Sequence, residues 1–120
     1  MNTKKIGDYG ELKATIYLKL HGYKIVERNY RTKFGEIDII AYNDKCLCFI
    51  EVKTRSRKDY GLAYEAVNFK KQRKIINCAL QYINENNITS DIRFDVVEVY
   101  RERGKLFVQE INLIKNAFTA

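Results

Sequence analysis

Apolar residues recur at helical spacing between Gly7 and Leu20, at Tyr9, Leu12, Ile16, Tyr17 and Leu20, and Gly22 closes the run. This predicts a first helix. From Tyr23 to Tyr30 the pattern changes to alternation, with Tyr23, Ile25 and Glu27 on one side and Lys24, Val26 and Arg28 on the other, as a strand requires. Gly35 opens a new segment. Glu36 to Tyr42 and Cys46 to Thr54 are both rich in β-branched and apolar residues, and Asn43-Asp44 between them has hairpin-turn chemistry. The polar stretch from Thr54 to Tyr60 carries Arg55, Arg57 and Lys58 and ends at Gly61, which suits a loop over a charged ligand. A second helix is predicted from about Tyr64 to Asn86, on a stripe of Val67, Lys71, Ile75, Ala79 or Leu80, and Ile83. Two strands, Ile92 to Tyr100 and Leu106 to Leu113, follow around the turn-like Arg101-Glu102-Arg103-Gly104. The order α-β-β-β-α-β-β is that of an α/β protein with a mixed β-sheet flanked by helices, because hairpins make antiparallel neighbours and the crossover through helix two makes a parallel pair.

Composition narrows the class. With 120 residues, of which 46% are hydrophobic, residues 1–120 are expected to form a single domain with one core. Lys and Arg total 22 against 15 acidic residues, and the net charge of +7 favours a polyanionic partner such as nucleic acid; the plainer alternative is a basic surface kept for solubility. Cys46, Cys48 and Cys78 do not have metal-ligand spacing and read as reduced, partly buried side chains. The one histidine, His21, sits before Gly22 where a cationic side chain suits a helix C-terminus. Neither a signal peptide nor a spanning helix is visible, so no membrane role and a cytoplasmic location are expected.

The chemistry lies on the two central segments. Glu51 and Lys53 alternate with Val52 and share one strand face, while on the preceding strand Asp38 shares its face with Glu36 and Ile40, leaving Ile37, Ile39 and Ala41 to the other layer. A two-residue Asn43-Asp44 loop would set Asp38 opposite Phe49, with Glu51 the diagonal neighbour about 7 Å away. A four-residue loop would set Asp38 directly against Glu51, and an unbulged three-residue loop would separate them. Two converging carboxylates suit a hard divalent cation, Mg²⁺ or Mn²⁺, which activates water and polarises a phosphate oxygen, while the Lys53 ammonium orients that water and offsets charge growing on the phosphodiester. The competing account is a structural ion pair in which Lys53 neutralises the acids. Glu11 is a third candidate. It shares a helical face with Gly7, Ala14 and Leu18, and the small residues Gly7, Gly10 and Ala14 would let that face approach the sheet closely. Two helical glycines cost roughly 1 kcal/mol each relative to alanine, so a packing or functional gain should offset them. Glu11 at a metal and Glu11 as a first-turn acid favoured by the helix dipole are both open.

Four segments carry a family resemblance: Gly7-Asp8-Tyr9-Gly10-Glu11 with Ala14, Arg28-Asn29-Tyr30-Arg31, Gly35-Glu36-Ile37-Asp38-Ile39-Ile40-Ala41, and Phe49-Ile50-Glu51-Val52-Lys53-Thr54-Arg55. Together they resemble the PD-(D/E)xK nuclease superfamily, and within it the bacterial YraN family, which is similar to archaeal Holliday junction resolvases. The resemblance implies a restriction-endonuclease-like core in which Glu11, Asp38, Glu51 and Lys53 are catalytic and Glu11, Asp38 and Glu51 bind metal. Ile37 stands where the superfamily's proline would be. Helix two lacks the Q-x-x-x-Y pattern, since Gln72 is followed four residues later by Ile76, and this leaves Lys71, Gln72 and Lys74 without an assigned role. By the same analogy a homodimer is expected.

Basic residues surround these acids in sequence. Arg28, Arg31, Lys33, Arg55, Arg57 and Lys58 are placed to grip phosphates on either side of a scissile bond, and Tyr30 and Tyr60 to stack on unpaired bases. The expectation is a metal-dependent endonuclease acting on branched or otherwise structured DNA. A catalytically silent nucleic-acid-binding module in a DNA repair or uptake assembly is the first alternative, and a structural dimer pairing through the edge strand Leu106 to Leu113 the second.

Overall fold

A computed structural model of the chain describes residues 3–56, 67–102, 104–105 and 107–120. The elements run α1 (Thr3–Leu20), β1 (Tyr23–Thr32), β2 (Gly35–Asn43), β3 (Cys46–Ser56), α2 (Phe69–Glu85), β4 (Asp91–Arg101) and β5 (Val108–Phe118). This is the expected α-β-β-β-α-β-β order of a restriction-endonuclease-like α/β fold. The five strands lie in spatial order β1-β2-β3-β4-β5. β3 and β4, joined through α2, run parallel, and the other neighbours are antiparallel.

The helices cover opposite faces of the sheet. Ala14 and Leu18 of α1 pack on Ile39, Ala41, Cys48, Ile50, Val97 and Val99, whereas Ile75, Ile76, Cys78, Ala79 and Tyr82 of α2 pack on Ile37, Ile40, Leu47, Phe49, Phe94 and Val96. All three cysteines are free thiols, two of them buried. His21 closes α1 as expected, its Nδ1 donating to the Tyr17 carbonyl at 2.8 Å, while Gly22 takes a left-handed φ of 87°.

Several expectations need correction. The apolar stripe read along α1 is its outer face, for Leu12, Ile16 and Leu20 are exposed, and the buried face is instead Gly10, Glu11, Ala14, Thr15 and Leu18. Small residues win there because the helix must come close to β3: a Cβ on Gly10 would sit 1.8 Å from the Thr54 Oγ1. Gly7 has open space around it and plays no part in that approach. α2 begins at Phe69, since the Asn68 side chain caps it by accepting from the Lys71 N–H at 2.9 Å, and the expected start at Tyr64 lies outside the described residues. β1 runs on to Thr32 and carries a bulge at Val26, between Ile25 and Glu27. β5 continues beyond Leu113 to Phe118, which stacks on Phe94 at 5.0 Å.

The β2–β3 turn decides how the acids meet. Asn43 pairs with Cys46, so the loop is Asp44-Lys45, one residue later than expected, with Asp44 at φ 56°. The loop has two residues, and its shift moves the whole register: Ile39 pairs with Ile50, and one step further Asp38 falls opposite Glu51. Face alternation in β2 does not persist. Ile39 and Ala41 face α1 as expected, but Ile37 joins Ile40 on the α2 side. The flip occurs at Asp38, opposite Asn29 of β1, whose φ of 55° marks a sharp local twist between Arg28↔Ile39 and Tyr30↔Ile37.

Candidate functional site

Five acids line one cleft of about 380 Å³, Asp8 and Glu36 together with the three predicted ones, Glu11 of α1, Asp38 of β2 and Glu51 of β3. Each of these three arrives for a local reason. Gly10 lets the second turn of α1 settle on Thr54, which carries the neighbouring Glu11 into the interior. The twist at Asn29 and Asp38 takes Asp38 out of regular alternation, and its Oδ2 accepts the Val52 N–H at 2.8 Å, a backbone donor from the middle of the Glu51-Val52-Lys53 segment. Glu51 is 6% exposed on the central strand, and its Oε2 lies 3.7 Å from the Lys71 Nζ on α2.

The electrostatics are those of crowded, desolvated carboxylates. Burial first, then the charge and contact of Glu51, push the Asp38 carboxyl up to about 8, against the opposing pull of the Val52 N–H. Glu11 is also raised, chiefly by burial and next by Asp38, although Arg28 draws it back. Asp38 is thus the carboxyl whose ionisation is most opposed, because it would put a second negative charge beside Glu51 in a desolvated site. A cation between Asp38 and Glu51 would relieve that charge with two hard oxygen donors, so the donor set fits Mg²⁺ or Mn²⁺. Among the described residues, however, no three His, Cys, Asp or Glu side chains form a ready metal-binding group. Glu11 in particular is engaged elsewhere, since its Oε1 accepts from Arg28 Nη2 at 3.2 Å. The structure thus brings the three predicted acids to one cleft, with Asp38 and Glu51 in contact and Glu11 alongside, paired with Arg28.

Lys53 stands to one side. It is half-buried and is not among the residues lining the cleft. The basic residues fall into three groups. Arg28 and Arg31 are near the cleft but tied to acids, Arg28 to Glu11 and Arg31 Nε to Glu36 at 3.1 Å. Arg55 follows Thr54 on β3, with its Nε buried and without a partner. Lys33 lies over the Phe34 ring, and Arg57, Lys58 and Tyr60 lie outside the described residues. Tyr30 does not present itself for base stacking: its hydroxyl donates to Glu85 at 2.6 Å and its ring packs edge-on against Tyr82.

Sequence reasoning left Lys71 without a role, yet it supplies the one ion pair to Glu51 among the described residues. The signal was Asn68, an N-cap three residues earlier, which fixes where α2 starts and hence which turn faces β3. Asn29, which lines the cleft beside Asp38, was also missed; an asparagine between two arginines within a strand is a cue to left-handed backbone.

Residues 10–99 match the model of the uncharacterised protein family UPF0102. A UPF0102 protein of Clostridioides difficile (strain 630) is 50% identical over 119 residues, covering 98% of this chain and all of the relative. UPF0102 proteins of Caldicellulosiruptor bescii and Caldanaerobacter subterraneus are 48% and 45% identical, each over 98% of this chain and over 100% and 98% of their own lengths. Among the described residues no helix is long and apolar enough to cross a membrane.

Proposed function

The chain belongs to the UPF0102 (YraN) family of the PD-(D/E)xK nuclease superfamily, and from that premise we propose that it is a divalent-metal-dependent endonuclease that hydrolyses phosphodiester bonds in branched or structured DNA. The observation that carries this is the meeting of Asp38 and Glu51 in a cleft open to a ligand, with Asp38 pushed to about 8. A structural ion pair would have put a cationic side chain on Asp38; among the described residues its partners are a backbone N–H and a second carboxylate.

Asp38 and Glu51 would hold Mg²⁺ or Mn²⁺, which when bound lowers the pKa of water and polarises a phosphate oxygen. Val52 holds Asp38 in place through its N–H, and Lys71 compensates Glu51 from the α2 side. Glu11, in the same cleft, is placed to accept a proton from water, with Arg28 fixing its orientation. Lys53, on the same strand, offsets the charge that develops on the phosphodiester. Arg31 and Arg55 supply phosphate contacts beside the reacting group, and the net charge of +7 draws the polyanion in.

A second account, binding without turnover, draws on the Glu11–Arg28 ion pair, which occupies an acid that hydrolysis would employ. One assay separates the two: labelled duplex, single-stranded and four-way-junction DNA incubated with Mg²⁺ or Mn²⁺, with Asp38→Ala and Lys53→Ala as controls. The nuclease account expects cleavage by the wild-type chain alone. Cleavage that survives in both variants removes the mechanism, and binding without cleavage on every substrate favours the second account.

A further inference from the structure

Glu98 is 2% exposed on β4, yet its Oε2 has no hydrogen-bond partner, while its Oε1 accepts from the Asn112 side chain at 3.1 Å. Carboxylates this deep are normally compensated, so an orphaned oxygen marks a partner that is within reach and not yet engaged. The parallel register identifies it: Lys53 of β3 pairs with Glu98 of β4. Val52, Val97 and Val99 pack on the α1 side and Val96 on the α2 side, so Lys53 and Glu98 project together from the α2 face of strands about 4.8 Å apart. Other side chains near Glu98 are engaged, apolar or farther along the strands. Asn112 of β5 already donates, Val96 and Ile114 are apolar, and Arg55 is aligned with Tyr100, two pairs further along. Lys71, on α2, is paired with Glu51.

We propose that Glu98 is the positioning partner of Lys53, holding its ammonium on the β4 side of β3, beside the Asp38–Glu51 pair but off it. Lys53 lies between two sets of acids: Asp38 and Glu51 toward β2, and Glu98 toward β4. Without Glu98 the ammonium would swing onto the acid pair as an internal salt bridge and compete with any cation there. With Glu98 the two carboxylates stay available and the ammonium waits one strand away. The inference rests on the nuclease reading for its functional meaning, but the Lys53–Glu98 pair is testable without turnover.

The test is a double-variant cycle on the metal-free chain, with urea unfolding of wild type, Glu98→Gln, Lys53→Met and the double variant. The pair is expected to couple by at least about fivefold in the unfolding constant, whereas coupling under about twofold overturns it. Should Glu98→Gln not fold, Glu98→Asp takes its place under the same threshold. Calorimetric titration with Mn²⁺ supplies the second readout. Glu98→Gln is expected to weaken Mn²⁺ binding about tenfold, and adding Lys53→Met to restore it. Unchanged Mn²⁺ affinity in Glu98→Gln, or no restoration, overturns the positioning role. A wild-type chain that cleaves no DNA while the coupling is intact overturns the nuclease reading and not the pair; a cleaving wild type without coupling does the reverse.

Discussion

Replacing Asp38 by asparagine should stabilise the metal-free protein, and more so as pH rises. The Asp38 carboxyl is pushed from an ordinary 3.8 to about 8 by burial and by Glu51. A raised carboxyl favours its protonated form in the fold, so its contribution is complete below about pH 4 and is lost as pH climbs through 8. One proton over roughly four pH units sets a ceiling of about 6 kcal/mol on that loss, and local rearrangement of water and of Lys71 should bring the realised figure to about 2 kcal/mol. Asparagine keeps the geometry: its carbonyl can accept the Val52 N–H that Asp38 now accepts at 2.8 Å, and its amide can donate to Glu51. Urea unfolding in the presence of a chelator, at pH 5 and pH 9, measures the difference directly. The variant should gain about 2 kcal/mol over wild type at pH 9 and much less at pH 5. Saturating Mg²⁺ should stabilise wild type, by about 2.7 kcal/mol at a hundred times its dissociation constant, and leave the variant nearly unmoved. A variant that is less stable than wild type at pH 9, or a difference that does not change with pH, would refute the electrostatic account of the site.

Four further outcomes are expected. Gly10→Ala should destabilise by about 2 kcal/mol in urea unfolding, because its Cβ meets the Thr54 side chain, and the cost should shrink but not vanish when combined with Thr54→Ala, whose Cβ still lies 3.0 Å away. Lys71→Met should cost under about 1 kcal/mol of stability, since the lysine is more than a third exposed, while lowering DNA cleavage about tenfold in a gel assay. Arg93→Ala should cost about 3–5 kcal/mol in thermal or urea unfolding, since it strands the fully buried Asp95, whose Oδ1 and Oδ2 it holds at 2.8 and 2.9 Å. DNA affinity measured by fluorescence anisotropy should fall steeply between about 50 and 200 mM salt, and a flat response would argue against phosphate contacts.

The element order and the mixed sheet were legible because they follow from periodicity and connection length alone. Alternation across Phe49-Ile50-Glu51-Val52-Lys53 also held, since both faces of a central strand are covered by helices and no slip is tolerated. What failed was local. In α1 the small residues Gly10 and Ala14 did mark the face that approaches the sheet, whereas the more apolar stripe with Leu12, Ile16 and Leu20 proved to be the outer one. The turn between β2 and β3 was misplaced by one residue because Asn43-Asp44 and Asp44-Lys45 both offer a residue that tolerates left-handed backbone, and the two registers, two residues apart, keep Leu47 and Phe49 on the same face, so face patterning cannot choose between them. The flip at Asp38 depends on its partner Asn29, a contact between strands that no single-strand pattern contains. The acids of the candidate site were therefore nameable from sequence, while their companions Lys71, Arg28 and Glu98 came from the way three layers meet.

Crystals grown with Mn²⁺ and measured at an energy where manganese scatters anomalously would test the central claim most directly. An anomalous peak between the carboxylates of Asp38 and Glu51, lost in Asp38→Asn, is the predicted result. Density showing the Lys53 ammonium seated on those two carboxylates, with manganese absent or bound elsewhere, would contradict it.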